Sequence, residues 1–190
     1  MQVKILVVDD SSFERQIIKN TLNEYCILTA CDCAEAMRML EEHDEINLLI
    51  LDLNMPEMNG FQVLEFLKAD KRFKKLRTII LTYDDEPDNE IRGLKLGAVD
   101  YIRKPIYADL LKARIELHVT LLCAERELEE QIQKQVLASE VMFKHLPVGV
   151  AISHNKESTF SGLNKYFKVN PAFERITGRS EEELLQLGWA

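Results

Sequence analysis

Short apolar runs alternate with amphipathic segments over the first 120 residues of the chain. Each run is bounded by charged or turn-forming residues, which is typical of strands in a buried sheet. Between the runs, apolar residues recur at three- and four-residue spacing, which predicts helices. Strands are therefore predicted at residues 3–8, 26–30, 46–51, 78–82 and 99–104. Five strands that alternate with helices predict a parallel sheet with helices on both of its faces.

Helix-starting residues occur where this alternation requires them. Ser11 or Ser12 can cap the first helix, and Pro87 can occupy the first turn of the fourth. The apolar positions predicted for the first helix are Phe13, Ile17, Ile18 and Leu22.

A fifth helix is predicted to begin near Ala108 and to be much longer than an ordinary globular helix. No glycine or proline lies between Ile106 and Leu146, and the segment is rich in strong helix formers. The pattern predicts a helix of about 35 residues that ends before Pro147. Its first part is expected to pack on the sheet through Leu110, Leu111, Ile115 and Leu117.

The later part of this helix has a seam of apolar residues at alternating four- and three-residue steps, which is typical of a parallel two-stranded coiled coil. The seam consists of Leu117, Leu121, Ala124 and Leu128. Beyond it the apolar positions shift to Ile132 and Val136, which indicates a stutter. We predict a homodimer through the helix at residues 110–140. The alternative is a single solvated helix that is stabilised by pairs such as Glu130 with Lys134.

Three acids, a hydroxyl and an amine follow the predicted strands. Asp9 and Asp10 come after the first strand, Asp52 after the third, Thr82 ends the fourth and Lys104 ends the fifth. Ligands of an open parallel sheet bind outside the carboxyl ends of its strands, so these side chains are expected to meet. Three clustered carboxylates repel one another unless a cation lies among them. Oxygen ligands with room for water favour Mg²⁺.

A carboxylate beside a metal ion and a lysine can act as a nucleophile toward phosphorus and form an aspartyl phosphate. Lys104 would offset the charge of the transferred group, and Thr82 could donate a hydrogen bond to it. Taken singly, Asp9 could be a helix cap, Thr82 an ordinary strand residue and Lys104 a solvated side chain. Their joint placement at strand ends favours a phosphate-handling site.

With these motifs, residues 1–121 resemble the receiver domain of two-component response regulators. The matching features are the pair Asp9-Asp10, Asp52 in "DLNMPEMNG", Thr82 after "TIIL", and "GAVDYIRKP" with Tyr101, Lys104 and Pro105. The resemblance implies an α/β flavodoxin-like fold, a doubly wound five-stranded parallel sheet of strand order 2-1-3-4-5.

The same resemblance implies roles for individual residues. Asp52 would accept phosphate from a histidine kinase or phosphotransfer protein, with Mg²⁺ held by Asp10, Asp52 and the backbone carbonyl of Asn54, and by Asp9 through water. Thr82 would move inward while Tyr101 changes rotamer.

Three residues near these positions add expectations of their own. Tyr83 stands where most receivers have a small residue, and its ring is expected to restrict Tyr101. Asn54 and Asp84 lie two residues beyond Asp52 and Thr82, where they are expected to orient a hydrolytic water.

The segment after Pro147 has a different character. "VGVAIS" predicts a strand, and "NPAFERITG" and "SEEELLQLG" predict short helices, the second with a capping box of Ser180 and Glu183. Residues 146–190, through "LPVGVAIS" and "YFKVNPAFERITGRSEEELLQLGW", resemble the N-terminal part of a PAS domain. The predicted organisation is a receiver at 1–121, a helical or coiled-coil linker at 122–145 and a partial α+β PAS-like segment at 146–190. The simpler alternative is a short helical appendage.

Composition limits the partners and the compartment. Lys and Arg number 24 against 32 Asp and Glu, and the net charge of −8 disfavours binding of nucleic acid through this segment. The N-terminal apolar run is too short for a signal peptide, and no stretch approaches the roughly 18 apolar residues that span a bilayer. The four cysteines lack CxxC spacing, so neutral or buried thiols in a reducing cytoplasm are expected. A redox switch of Cys31 and Cys33 is the alternative.

These features predict a phosphorylation-dependent signalling module and not a turnover enzyme. The signal is expected to pass through the dimeric helix to the PAS-like segment and to an output domain beyond the chain end, such as a cyclic-di-GMP enzyme or a histidine kinase. The alternative is a Mg²⁺-dependent phosphohydrolase with Asp52 as nucleophile. Haloacid-dehalogenase-like hydrolases place their nucleophile on the first strand with a second Asp two residues on, whereas Leu53 and Asn54 follow Asp52 here.

Overall fold

Five parallel strands form a central sheet in the computed structural model, which describes residues 3–56, 59–83, 87–156 and 164–186. The strands are β1 Lys4–Val8, β2 Cys26–Ala30, β3 Ile46–Asp52, β4 Arg77–Thr82 and β5 Asp100–Arg103. They lie in the order β2-β1-β3-β4-β5, and every neighbouring pair is parallel. The predicted fold is confirmed, and each strand boundary lies within one residue of its predicted position.

Helices cover both faces of this sheet. They are α1 Ser12–Thr21, α2 Cys33–Glu42, α3 Gly60–Ala69, α4 Pro87–Lys95 and α5 Ala108–His145, and a 3-10 turn at Lys71–Phe73 precedes β4. Residues of α2 and α3 share one buried cluster with Leu49 and Leu51 of β3. Residues of α1 and α5 share a second cluster with Leu48 and Ile50. Successive side chains of a strand point to opposite faces, so β3 contributes to both cores and all seven of its residues are buried.

Side-chain caps begin the helices that follow the strands. The Ser11 hydroxyl accepts a hydrogen bond from the backbone N–H of Glu14 at 3.3 Å, so Ser11, and not Ser12, is the cap of α1. Asp32 caps α2, and Asn59 caps α3. Each cap satisfies a backbone donor that has no partner within its own helix.

The predicted first helix is present as α1, in which Phe13 is 72% exposed while Ile18 is buried together with Leu22 just after the helix. The prediction for the buried face of α5 was wrong in part. On α5, Leu110 and Leu117 are exposed as well, although they were expected to pack on the sheet. The face of α5 that is buried comprises Leu111, Ile115, His118 and Leu122. These four residues follow one another at four-, three- and four-residue steps, and Leu110 and Leu117 lie about 100° away around the helix.

The chain divides into two compact units, Met1–Leu122 and Cys123–Ala190. Besides the later part of α5, the second unit contains β6 Ala151–Lys156, β7 Asn164–Val169, α6 Pro171–Thr177 and α7 Glu181–Gln186. The two strands form an antiparallel pair in which Ala151 faces Val169. β6 begins three residues later than the prediction from "VGVAIS".

A buried asparagine joins the elements of this second unit. The side-chain oxygen of Asn170 accepts hydrogen bonds from the backbone N–H groups of Val150 and Phe173, at 2.8 and 3.0 Å. Its amide nitrogen donates to the carbonyl of Val148 at 2.9 Å. Asn170 therefore caps α6 and also ties it to the segment before β6. The predicted capping box of Ser180 and Glu183 at the start of α7 is confirmed, with both of its hydrogen bonds formed.

Two further expectations concern the burial of the cysteines and the presence of membrane-spanning helices. Cys33 is buried, and this burial raises the pKa of its thiol to about 11, whereas Cys31 and Cys123 are exposed. Within the described part of the chain, none of the helices combines the length and the apolar character needed to cross a bilayer.

The face of α5 can be tested by paired substitutions. Leu111→Ala removes a fully buried side chain and is expected to lower the free energy of unfolding by about 2–4 kcal/mol. Leu110→Ala makes the same chemical change on an exposed position and is expected to cost less than about 1 kcal/mol. Urea denaturation followed by circular dichroism measures both values. Equal losses for the two variants would contradict the assigned face.

Candidate functional site

The carboxyl ends of four adjacent strands bring the sequence-predicted residues together. Asp9 follows β1, Asp52 ends β3, Thr82 ends β4 and Lys104 follows β5. Asp9, Asp52 and Thr82 are each at most 1% exposed, although all three are polar. The parallel sheet forces this convergence, since its strands all end at the same edge.

Lys104 provides the positive charge of the site. Its Nζ donates to Oδ2 of Asp9 at 2.8 Å and to Oδ2 of Asp52 at 2.7 Å. Burial alone would lower the pKa of Lys104, but the hydrogen bonds to the carboxylates outweigh it and raise the pKa above its ordinary value. Lys104 therefore stays protonated and neutralises part of the buried negative charge.

Three carboxylates form the negative side of the site. One oxygen each from Asp9, Asp10 and Asp52 lies within 4.8 Å of the other two. Burial raises the pKa of Asp9 to about 6, against the opposing effect of Lys104. Asp10 is exposed, so this side of the cluster faces water. A hard cation with oxygen ligands and bound water, Mg²⁺ above all, fits this donor set.

The backbone around Asp52 fixes the direction of its carboxylate. The N–H of Asn54 donates to Oδ1 of Asp52 at 3.0 Å, which leaves Oδ2 to Lys104. The N–H of Leu53 donates to the carbonyl of Leu81 and so extends the pairing with β4 by one bond. Gly60 packs against this corner, since a Cβ at that position would lie 2.6 Å from the backbone oxygen of Asp52.

Thr82 and Tyr101 occupy different surroundings. The backbone carbonyl of Thr82 accepts from the N–H of Lys104 at 2.8 Å, which links the ends of β4 and β5. Tyr101 is half-buried, and its hydrogen bond to Glu90 of α4 raises its pKa. Glu90 in turn pairs with Nε of Arg103 at 2.7 Å. Tyr101 thus faces α4 and not the carboxylate cluster. Asp84, the other residue expected to orient water, lies outside the described residues.

Glu14 is a member of the site that the sequence analysis missed. From the first turn of α1 it forms an ion pair with Nζ of Lys104 and accepts a hydrogen bond from the hydroxyl of Tyr83 at 2.7 Å. Burial acts to raise the pKa of Glu14, but its hydrogen bonds with Lys104 and Tyr83 outweigh this and lower it. Its position three residues after the cap Ser11 was the available signal, since this helix starts directly beside Asp9 and Asp10.

Tyr83 contacts Glu14 and Lys104, and the expectation that its ring restricts Tyr101 stays a prediction. Its hydroxyl donates to Glu14, and Nζ of Lys104 lies 4.9 Å from the centroid of its ring. The side chain is 59% exposed, so it stands between the charged cluster and solvent.

This combination of fold and site defines a known family. The family model described as the response regulator receiver domain matches residues 5–116, which is more than half of the chain. The chain belongs to the response regulator receiver domain family.

Individual relatives match about three fifths of the chain. The chemotaxis protein CheY1 of Helicobacter pylori is 41% identical over 118 residues, which are 60% of this chain and 95% of that protein. The solved structure of the chemotaxis protein CheY4 of Vibrio cholerae matches with a TM-score of 0.58 at 29% identity and covers 61% of this chain and 98% of CheY4. The structure of a probable two-component system response regulator/GGDEF domain protein matches with a TM-score of 0.60 at 29% identity. That match covers 64% of this chain and 50% of the other.

The raised pKa of Asp9 predicts a stability gain from removing its charge. Between roughly pH 4 and 6 the folded protein binds a proton on Asp9 that the unfolded chain has released, so stability falls as pH rises through this window. Asp9→Asn is therefore expected to raise the free energy of unfolding by about 1–3 kcal/mol at pH 7 without divalent ions. The gain should shrink toward pH 4.

Urea denaturation in EDTA at a series of pH values measures this difference. Asp44→Asn, on an exposed carboxylate, is the matched control and should show no such pH dependence. A variant that is less stable than the wild type at pH 7 would refute the assignment.

Proposed function

We propose that this receiver is a phosphorylation-controlled switch of a two-component system, in which Asp52 accepts a phosphoryl group from a histidine kinase or phosphotransfer protein. The main support is the position of the Asp52 carboxylate, with Oδ2 2.7 Å from Nζ of Lys104 and with Asp9 and Asp10 beside it. Membership of the receiver family agrees with this function.

The proposed transfer step uses Asp52, Lys104 and Thr82. An oxygen of Asp52 forms a bond to phosphorus while the bond from phosphorus to the imidazole nitrogen of a phosphohistidine breaks. The electron pair of the broken bond leaves with the imidazole, which takes up a proton from solvent. Lys104 donates to an oxygen of the transferred group and offsets its charge, and the Thr82 hydroxyl donates to another.

The carboxylates would hold Mg²⁺ beside this reaction. Asp10, Asp52 and the backbone carbonyl of Asn54 would bind the ion directly, and Asp9 would bind it through water. The ion would supply additional positive charge next to the oxygens of the transferred group. The all-oxygen donor set and the exposure of Asp10 support this assignment.

Thr82 and Tyr101 would convert phosphorylation into a change of surface. Thr82 would move toward the phosphoryl group, and Tyr101 would change rotamer. The half-buried position of Tyr101 and its hydrogen bond to Glu90 of α4 support a residue with two available positions. Glu90 would keep its ion pair with Arg103 in both states.

A Mg²⁺-dependent phosphohydrolase is the alternative function for the same carboxylates. The nucleophile would lie on β3, and membership of the receiver family favours signalling over turnover. Incubation with p-nitrophenyl phosphate separates the two functions. A receiver gives no sustained release of p-nitrophenol, whereas a phosphohydrolase does.

The phosphorylation site can be tested by a conservative substitution. Asp52→Asn keeps the shape of the side chain and removes the nucleophile, so labelling by acetyl phosphate or phosphoramidate with Mg²⁺ should fall at least about 100-fold. Mass spectrometry of the intact protein measures the added phosphoryl group. Asp44→Asn should be labelled at the wild-type rate. If Asp52→Asn were also labelled at that rate, the assignment of Asp52 would be wrong.

The helix α5 is proposed to carry the signal out of the receiver as part of a homodimer. Four apolar side chains of α5 that lie outside its buried face are between 43 and 58% exposed: Leu117, Leu121, Leu128 and Ile132. Leu117 and Leu128, like Leu121 and Ile132, are eleven residues apart, which places each pair on one side of the helix. Pairing with a second copy of α5 would remove these side chains from water.

The segment beyond α5 is proposed to be the N-terminal part of a PAS-like domain, at residues 146–190, after a linker at 122–145. The antiparallel pair β6-β7, followed directly by the Asn170-Pro171 start of α6, supports this proposal. An output domain would follow beyond the chain end. The related protein of known structure is described as both a response regulator and a GGDEF domain protein, and the match covers half of that chain. We propose a cytoplasmic protein that acts on protein partners.

Self-association through α5 can be tested with charge substitutions. Leu121→Glu and Leu128→Glu put a charge on the seam and are expected to convert a dimer to a monomer at tens of micromolar protein. Light scattering measures the mass in solution. Leu137→Glu is the control, because Leu137 is exposed on the opposite side of α5. A wild-type protein that is monomeric at this concentration would contradict the proposed dimer.

A further inference from the structure

Glu14 is paired with Lys104, the side chain that is proposed to donate to the transferred phosphoryl group. Its Oε2 pairs with Nζ of Lys104, and its Oε1 accepts the hydroxyl hydrogen bond of Tyr83 at 2.7 Å. The ring of Tyr83 lies over the same ammonium group, with its centroid 4.9 Å from Nζ. Glu14 therefore connects the cation of the site to the aromatic side chain between the site and solvent.

Lys104 is paired with three carboxylates in this state: it donates hydrogen bonds to Asp9 and Asp52 and forms an ion pair with Glu14. A lysine ammonium has three N–H donors and no acceptor. Its three carboxylate partners here are Asp9, Asp52 and Glu14. A phosphoryl group on Asp52 brings further anionic oxygens to Lys104, and these oxygens compete with the three carboxylates for its N–H donors.

Glu14 is the partner that can withdraw at least cost. Asp9 is fully buried, and its other oxygen accepts from the N–H of Ser11 at 2.8 Å. Asp52 itself would carry the phosphoryl group. The side chain of Glu14 is 17% exposed and extends from a helix surface, and its negative charge repels the phosphoryl oxygens.

We propose that Glu14 and Tyr83, here named the latch, hold Lys104 in the unphosphorylated protein and are released when the phosphoryl group arrives. This inference rests on the proposed phosphorylation of Asp52. Before transfer, Glu14 competes with the phosphodonor for Lys104, and its carboxylate repels the negative charge of the phosphodonor. After transfer, Tyr83 loses its acceptor and its exposed ring is free to move.

The latch also makes Glu14 and Tyr83 determinants of donor specificity. A donor protein gains binding energy from contacts outside the site and can use it to displace Glu14. A small anionic donor such as acetyl phosphate has no such contacts. The latch therefore selects against small phosphodonors.

Labelling kinetics with acetyl phosphate and Mg²⁺ test the latch. Glu14→Gln keeps the size of the side chain and removes its charge, and the labelling rate should rise about three- to tenfold. Tyr83→Phe keeps the ring and removes the hydroxyl, and should raise the rate by a smaller factor. The double variant should be no faster than Glu14→Gln alone, because both changes act on one hydrogen-bonded unit. Glu24→Gln alters another carboxylate that pairs with a lysine, Lys112, and should leave the rate unchanged.

The chemical shift of ring-labelled tyrosine, measured by nuclear magnetic resonance, gives a second test that is independent of the labelling rate. The chain has five tyrosines, and Tyr83→Phe identifies the signal of Tyr83. Beryllofluoride with Mg²⁺ serves as the phosphoryl analogue. In the wild type it should move the Tyr83 signal to the position found in Glu14→Ala without any addition, and in Glu14→Ala it should move that signal little.

The outcomes separate this inference from the function on which it rests. If the wild type neither takes up label nor binds beryllofluoride, the phosphoacceptor function fails and the latch fails with it. If the wild type is labelled but Glu14→Gln is no faster, the latch alone is refuted. A Tyr83 signal that stays in place when beryllofluoride binds the wild type would likewise refute the latch.

Discussion

The buried ammonium group of Lys104 is the interaction on which the rest of the site depends. Asp9 and Asp52 are almost completely removed from water, and their charges would repel each other without a cation between them. Lys104 donates to both and also pairs with Glu14, so one side chain compensates three carboxylates. The compensation is incomplete, since burial still raises the pKa of Asp9 to about 6. The site therefore retains an affinity for further positive charge.

The sheet supplies the geometry that this compensation needs. β3 lies between β1 and β4 and is buried along its whole length, so Asp52 cannot turn away from its neighbours. The backbone bond from Lys104 to Thr82 joins β5 to the same edge. Packing of apolar side chains on both faces thus holds charged groups together that would separate in water.

Patterns that depend on strand ends were predictable from the sequence, and contacts between distant segments were not. Asp9 and Asp52 each end an apolar run, Lys104 follows the predicted fifth strand, and parallel pairing then brings the three residues together. Glu14 was missed because it lies 90 positions before Lys104 in the sequence. Their contact depends on which side of the first turn of α1 faces the site. Leu110 and Leu117 were misplaced because α5 has apolar residues around much of its circumference, so spacing alone does not identify the buried face.

Gly60 has a consequence for how this protein tolerates mutation. A side chain at this position would meet the backbone of Asp52 at 2.6 Å and the side chain of Leu53 at 2.9 Å. Even alanine would push the backbone around Asp52 out of place. A saturation screen scored by signalling output would rank residue 60 with the acidic residues, although it has no functional group to contribute. Intolerance to substitution at this corner therefore reports the shape of the backbone as much as the chemistry of the side chains.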